Sequence, residues 1–254
     1  MSIYRGCLVK HLQNTQDVFN HLHIAVKSCL PEDVWKRFDA KLLNNSGETK
    51  VAILPILNNK NHDFVEVTLG VGGDIMAEEK LQKLIPQCQF YGADPIEEGG
   101  KVFNKIGKYF PFAVAASTTG NHTASVLEID GYSHKTVPTV NFLEFFQQHL
   151  KLKEIDLFWM DNEGAEYGIF RQYLIDNVEI SICQIDVEMH GPLQTYDMST
   201  MAFNELIQLI LSRAPFLPIW SGQGAGHVQS FYINVNDKRC IEKFFLDRFT
   251  NDIN

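Results

Sequence analysis

The residues best suited to chemistry gather in a few short stretches. In the first, Val65-Glu66-Val67-Thr68-Leu69-Gly70-Val71-Gly72-Gly73-Asp74-Ile75, an apolar run enters glycines and leaves into an amphipathic segment. Glycines let the backbone approach a bound nucleotide or nucleoside, and the start of the following helix offers unpaired N–H groups. The same spacing also suits a plain tight turn between strand and helix. A dinucleotide fingerprint G-x-G-x-x-G calls for glycine where Ile75 stands, which disfavours a nicotinamide dinucleotide. About twenty residues further on, where an acidic residue in Rossmann-type sheets holds the ribose hydroxyls, Asp94 ends Phe90-Tyr91-Gly92-Ala93-Asp94-Pro95. An aspartate ahead of a proline equally suits a helix N-cap.

A second acidic stretch, Asp156-Leu157-Phe158-Trp159-Met160-Asp161-Asn162-Glu163-Gly164-Ala165-Glu166-Tyr167, puts Asp161, Glu163 and Glu166 just past an apolar strand. The carboxyl ends of strands are where open α/β sheets hold their ligands. Glu163 and Glu166 also suit a first helical turn, where acids stabilise the helix dipole, whereas Asp161 has no such explanation. The stretch Gln184-Ile185-Asp186-Val187-Glu188-Met189-His190-Gly191-Pro192 ends in a histidine beside a turn, a general base or a solvated loop residue. Asp161, Glu188 and His190 form a carboxylate and imidazole set that suits Mg²⁺, Mn²⁺ or Zn²⁺. The tight ligand spacing of a zinc site is missing, so a divalent metal is admitted but not favoured.

These residues need a sheet to hold them. Strand patterns occur at 64–69, 88–93, 112–116, 155–160, 180–187, 216–220 and 228–235, with helical patterns at 74–85, 141–150, 163–175 and 200–213. Strands separated by helices imply βαβ units and a mainly parallel sheet with helices on both faces. The last two strands are joined by a link too short for a crossover helix, Ser221 to His227, and should pair antiparallel. Alternation and an Asp130-Gly131 pair predict an inserted hairpin over 121–140, and Asn141 with Glu144 has capping-box spacing for the next helix.

Ahead of the sheet, residues 14–43 read as an amphipathic helical preface, with Val18, Phe19, Leu22, Ala25, Val26 and Cys29 on one stripe and Trp35, Phe38 and Leu42 on another after Pro31. The Asn44-Asn45-Ser46-Gly47 turn is its best boundary, and Val51–Leu57, interrupted by Pro55, is at most an edge strand. The expected division is a helical extension over 1–60 and a Rossmann-like domain over 61–254.

The 254 residues carry 22 Lys+Arg against 31 Asp+Glu, a net charge of −9, and no Lys/Arg run, which argues against a nucleic-acid partner. No apolar stretch approaches the ~20 residues that span a bilayer. The N-terminus lacks the apolar core of a secretory signal, so a cytosolic address is the default expectation. Five dispersed cysteines with no Cys-x-x-Cys pair then read as reduced, mostly buried thiols. Two Asn-x-Ser/Thr sequons, at Asn44 and Asn121, read as chance in a cytosolic chain.

Taken together, Thr68 to Asp74, Gly92 to Pro95 and Asp156 to Tyr167 resemble the FkbM-type methyltransferase domain of the class I S-adenosylmethionine-dependent superfamily. The most specific part is Trp159-Met160-Asp161-Asn162-Glu163-Gly164-Ala165-Glu166, similar to that family's K-I-D-V-E-G-A-E signature, and Phe112 to Ser117 with Gly120 resembles its third strand and loop. The resemblance spans roughly 63–190. It implies a Rossmann-like fold and S-adenosylmethionine held by Gly70, Gly72 and the loop to Asp74, with Asp94 on the ribose and Ala116 and Ser117 near the adenine. It also implies methyl transfer to a hydroxyl of a small molecule or glycan, for which Asp161, His190 and Glu163 are the expected catalytic residues. Departures from the pattern, at Thr68, Asp74, Trp159 and Asn162, leave a binding module without turnover as the alternative.

Overall fold

The computed structural model describes residues 2–56, 63–117, 119–128, 131–175, 179–191, 200–224 and 226–249. Three helices open the chain: α1 (Ser2–Leu12), α2 (Val18–Cys29) and α3 (Glu32–Phe38). Asp17 caps α2 by accepting the Asn20 N–H, and the predicted stripe from Val18 to Cys29 is buried. Asp39, in the left-handed region at φ 49°, ends α3. The chain therefore leaves the helix before Leu42, which lies instead in β1 (Lys41–Asn44), paired antiparallel with β2 (Thr49–Ala52). The Asn44-to-Gly47 turn closes this hairpin, with Asn45 Oδ1 accepting from the N–H groups of Gly47 and Glu48.

The central strands are β3 (Phe64–Leu69), β4 (Cys88–Ala93) and β5 (Lys108–Phe110). Further along come β6 (Ala113–Ala115), β7 (Gly120–Glu128) and β8 (Gly131–Asn141), then β9 (Glu154–Ile155) and β10 (Leu157–Met160). The last are β11 (Ser181–Ile182), β12 (Gln184–His190), β13 (Phe216–Gln223) and β14 (His227–Asn234). Seven of them form one sheet in the order β13-β14-β12-β10-β3-β4-β5. It is parallel from β12 to β5, while β14 runs antiparallel to both β12 and β13, as the short link predicts. The chain moves outward from β3 to β5 and then returns to β10 on the other side of β3. That reversal creates a crevice at the carboxyl ends of β3 and β10.

The third strand of this sheet is Lys108–Phe110; the predicted run 112–116 instead supplies β6 of a separate three-stranded sheet, β6-β8-β7. Its β7–β8 pair is the expected inserted hairpin. Asn141 does cap the helix that follows, accepting from Leu143 N–H. Glu144 takes the Thr119 hydroxyl, so its spacing reflects a different contact from a capping box.

The two faces of the sheet are covered differently. Phe158 of β10 packs against Phe142 and Phe146 of the helix after β8. Its neighbour Trp159 points the opposite way, donating from Nε1 to the Val51 carbonyl of the hairpin. On that face Asp186 accepts the Val51 N–H, and Gln184 both accepts from and donates to the backbone of Ile53. One continuous apolar core runs from Tyr4 and Leu8 of α1 to Phe244 and Phe245.

The cysteines correct the sequence reading. Cys7 bonds to Cys29, joining α1 to α2, and Cys183 bonds to Cys240, joining the start of β12 to the C-terminal helix. Only Cys88 remains a thiol. Pairs separated by 22 and 57 residues carry no local signature, because only the folded chain brings them to Cα distances of 5.7 and 5.0 Å.

Candidate functional site

At the end of β3 the chain turns through Gly70 (φ 81°), Gly72 (φ 62°) and Gly73 (φ 89°) into a helix over Met76–Leu84. Gly70 N–H donates to the Ala93 carbonyl, and Asp161 N–H donates to the Leu69 carbonyl. The turn is thus pressed against the loop after β10. A Cβ on Gly70 would lie 1.8 Å from the Asp161 carbonyl oxygen, so only glycine fits. Asp94, buried at the end of β4, spans the gap: one carboxylate oxygen accepts from Gly72 N–H at 3.0 Å and the other from Ile96 N–H at 2.7 Å. Burial pushes its carboxyl up despite these N–H groups.

Beyond the turn lies a cavity of about 660 Å³. Gly70, Gly72, Asp94, Ser117, Asp161 and Glu163 all line it, as do His122 and His134 of the inserted hairpin. Glycines without side chains, a carboxylate at the end of the second strand and a partly enclosed cavity fit an adenosine-type cofactor.

The loop after β10 is shaped by its own acids. Glu166, fully buried, accepts from Asn162 N–H at 2.7 Å and Gly164 N–H at 2.9 Å. This holds Glu163 at φ 50°, a left-handed conformation uncommon for a residue with a side chain. Glu163 Oε2 then reaches His190 Nε2 at 3.0 Å, while His190 Nδ1 faces Glu166 Oε1 at 3.3 Å. Asp161 Oδ1 and Glu188 Oε1 each stand 3.7 Å from His190 Nε2, and Glu188 also meets His227 at 3.0 Å. His190 itself is only 4% exposed.

These contacts surround the histidine with carboxylates. Burial alone would lower its pKa, but Glu163, Glu166 and Asp161 push it up to about 12. These carboxylates favour the imidazolium form of His190. The carboxyls shift toward neutrality instead: burial, reinforced by Glu188, holds Asp161 well above the usual range, and burial with Glu48 brings Glu188 to about 7. Asp161 Oδ1 is shut off from solvent without a hydrogen bond. Asp161 thus lines the cavity wall with a carboxyl of raised pKa.

Not every expected site residue faces the cavity. Asp74 turns away, accepting from the backbone and hydroxyl of Ser46 and from Met76 N–H. Ala116 presents its carbonyl to Asn141 and Tyr173. The Pro192–Ser199 loop lies outside the described residues. Glu48, in the hairpin turn, went unnoticed in the sequence; its carboxylate comes within 4.8 Å of those of Asp161 and Glu188. A second close set, Asp161, Glu166 and His190, has the right atom types for a cation, but Glu166 is occupied by loop N–H groups.

The departures from the family pattern have structural uses. Asp74 pins the hairpin turn, and Asn162 donates to the Val114 carbonyl of the inserted sheet. Lys50 Nζ lies 5.1 Å above the Trp159 ring, a cation–π distance, and meets the buried Glu78 at 3.2 Å. Thr68 donates to Glu66 at 2.6 Å.

The profile of the methyltransferase FkbM domain matches residues 20–216. The chain belongs to the FkbM methyltransferase family. The matched stretch of this FkbM methyltransferase begins in α2 and ends as β13 starts, so it takes in the hairpin and the parallel strands of the sheet. Similar solved structures include M. capricolum TrmK in complex with S-adenosyl-homocysteine, at 12% identity and TM-score 0.36, over 70% of this chain and 64% of that one. Aeropyrum pernix fibrillarin with natively bound S-adenosyl-L-methionine has 10% identity and TM-score 0.39, over 67% and 66%. The plantazolicin methyltransferase BpumL with S-adenosyl-homocysteine has 10% identity and TM-score 0.37, over 67% and 76%. The FkbM chain thus spans about two thirds of the length of the first two. A search of curated protein sequences gives no match. Among the described residues, no helix is long and apolar enough to cross a membrane.

Proposed function

We propose that this chain transfers a methyl group from S-adenosylmethionine to a hydroxyl oxygen of a small molecule or glycan. Residues 1–60 serve as an extension that supports a catalytic domain over 61–254. The observation that carries this reading is Asp161, a carboxylate of raised pKa on the wall of the cavity that the glycine turn and Asp94 also line. When bound, the cofactor supplies a sulfonium methyl as electrophile. Asp94 orients the ribose, and Gly70 and Gly72 let the backbone come close. Asp161 takes the acceptor's proton, and Glu163 and Glu166 hold His190 as the cation beside it. An in-line displacement gains most from such positioning.

A binding module without turnover is the second reading, favoured by the Asp74 carboxylate facing Ser46 instead of the cavity. Calorimetric titration with S-adenosylmethionine should give heat for the natural chain and none for Asp94→Ala. No heat at millimolar ligand for the natural chain defeats both readings. Labelled methyl transfer to a panel of hydroxyl compounds and glycans separates them, since binding without transfer to any acceptor leaves the module.

A further inference from the structure

We infer that this protein is built for an oxidising compartment, where Cys7–Cys29 and Cys183–Cys240 are permanent cross-links and Asn44 and Asn121 are N-glycan acceptors. Two independent observations point the same way, and neither depends on the methyl-transfer reading.

The first is the pairing of four of the five cysteines. Both sulfurs of Cys183–Cys240 belong to residues with no solvent exposure, which makes this bond structural and not an exchange site. Neither pair has the Cys-x-x-Cys spacing of a redox catalyst. Disulfides of this kind persist in oxidising compartments and are rare where glutathione keeps thiols reduced. Each bond forms with release of two thiol protons and two electrons. The acceptor of those electrons is a protein disulfide oxidoreductase or oxidised glutathione, whose own disulfide is reduced to two thiols. The cytosolic expectation rested on the absence of an apolar leader pattern; the paired cysteines outweigh it.

The second observation is the placement of the sequons. Asn44-Asn45-Ser46 leads into the turn between β1 and β2, and Asn44 is exposed. Asn121-His122-Thr123 lies on β7, an outer strand of the three-stranded sheet, and Asn121 is exposed as well. No other Asn-x-Ser/Thr occurs in the chain, so every sequon present lies where a glycan can project.

The test uses protein from its natural cells, alkylated during lysis under non-reducing conditions and measured by intact mass. One alkylated cysteine of five, Cys88, is expected, rising to five after reduction and unfolding. Three or five alkylated cysteines without reduction overturn the inference. Peptide-N-glycosidase on the same material should lower the mass, with deamidation at Asn44 and Asn121; no mass loss overturns the glycan assignment. In recombinant protein from a secretory host, Ser46→Ala and Thr123→Ala should each remove one glycan while keeping the asparagine and its contacts. Retention of both glycans in either variant also overturns it.

Discussion

Substituting alanine for Gly70 and Gly72 in turn tests whether the cleft is set by contact between the ends of β3 and β10. Both glycines have left-handed backbone, at φ 81° and 62°, so alanine costs roughly 1–2 kcal/mol at either position. They differ in their surroundings. A Cβ on Gly72 meets nothing within 4 Å, whereas one on Gly70 lies 1.8 Å from the Asp161 carbonyl oxygen. Restoring a normal separation of about 3.5 Å would move the Asp161 loop by more than an ångström. That shift stretches the hydrogen bond from Asp161 N–H to the Leu69 carbonyl, now 2.9 Å. Overpacking costs about 1–3 kcal/mol and the weakened bond about 1 kcal/mol. Gly70→Ala should therefore be less stable than Gly72→Ala by about 2–4 kcal/mol, read from urea midpoints at constant m-value. Calorimetry should find S-adenosylmethionine binding abolished in Gly70→Ala, because Asp161 and Gly70 line the same cavity. Equal stabilities for the two variants would refute the argument, since backbone conformation alone would then account for both.

Other outcomes follow from the same contacts. Asp161→Asn should keep cofactor affinity and lower methyl transfer by about 10²–10⁴-fold, the usual range for a general base, with turnover assayed at saturating cofactor. His190 gains its cation from Glu163 first and Glu166 second, so Glu163→Gln should lower its pKa from about 12, as followed by NMR of the imidazole. Because the folded value is raised, His190 contributes stability that is fully present below pH 6.5 and is lost as the pH climbs toward 12; Glu163→Gln should end that loss at a lower pH. Replacing Cys183 and Cys240 by alanine opens a 57-residue loop worth about 4 kcal/mol, against about 3.4 kcal/mol for the 22-residue Cys7–Cys29 loop. Melting temperatures should fall in that order, and reductant should lower the natural chain but leave the quadruple variant unchanged.

Much of the sheet was legible because buried parallel strands are short apolar runs, and β3, β4, β10 and β12 stand where such runs occur. The glycine turn, Asp94 and Asp161 were legible for a related reason: residues at strand ends inherit their position from the strand. Lys108–Phe110 was not, since three residues with a lysine make no apolar run. Leu42 fitted a helical stripe by spacing alone, and the stripe gives no notice of Asp39 turning left-handed. Glu48 and the disulfides depend on residues distant in sequence and close only after folding. The surroundings of His190 were hidden for the same reason, because a lone histidine does not reveal the four carboxylates around it.

The hairpin of β1 and β2 also sets a schedule for biosynthesis. Val51 gives its N–H to Asp186, a partner 135 residues downstream, and Ile53 relies on Gln184. At a translation rate of about 5–20 residues per second, the nascent hairpin waits roughly 7–27 s before those partners have been made. Throughout that interval its apolar face, with Val51, Ala52 and Ile53, has no sheet to lie on. The ribosome thus releases the hairpin first and completes its seat late, once Gln184 and Asp186 have been made.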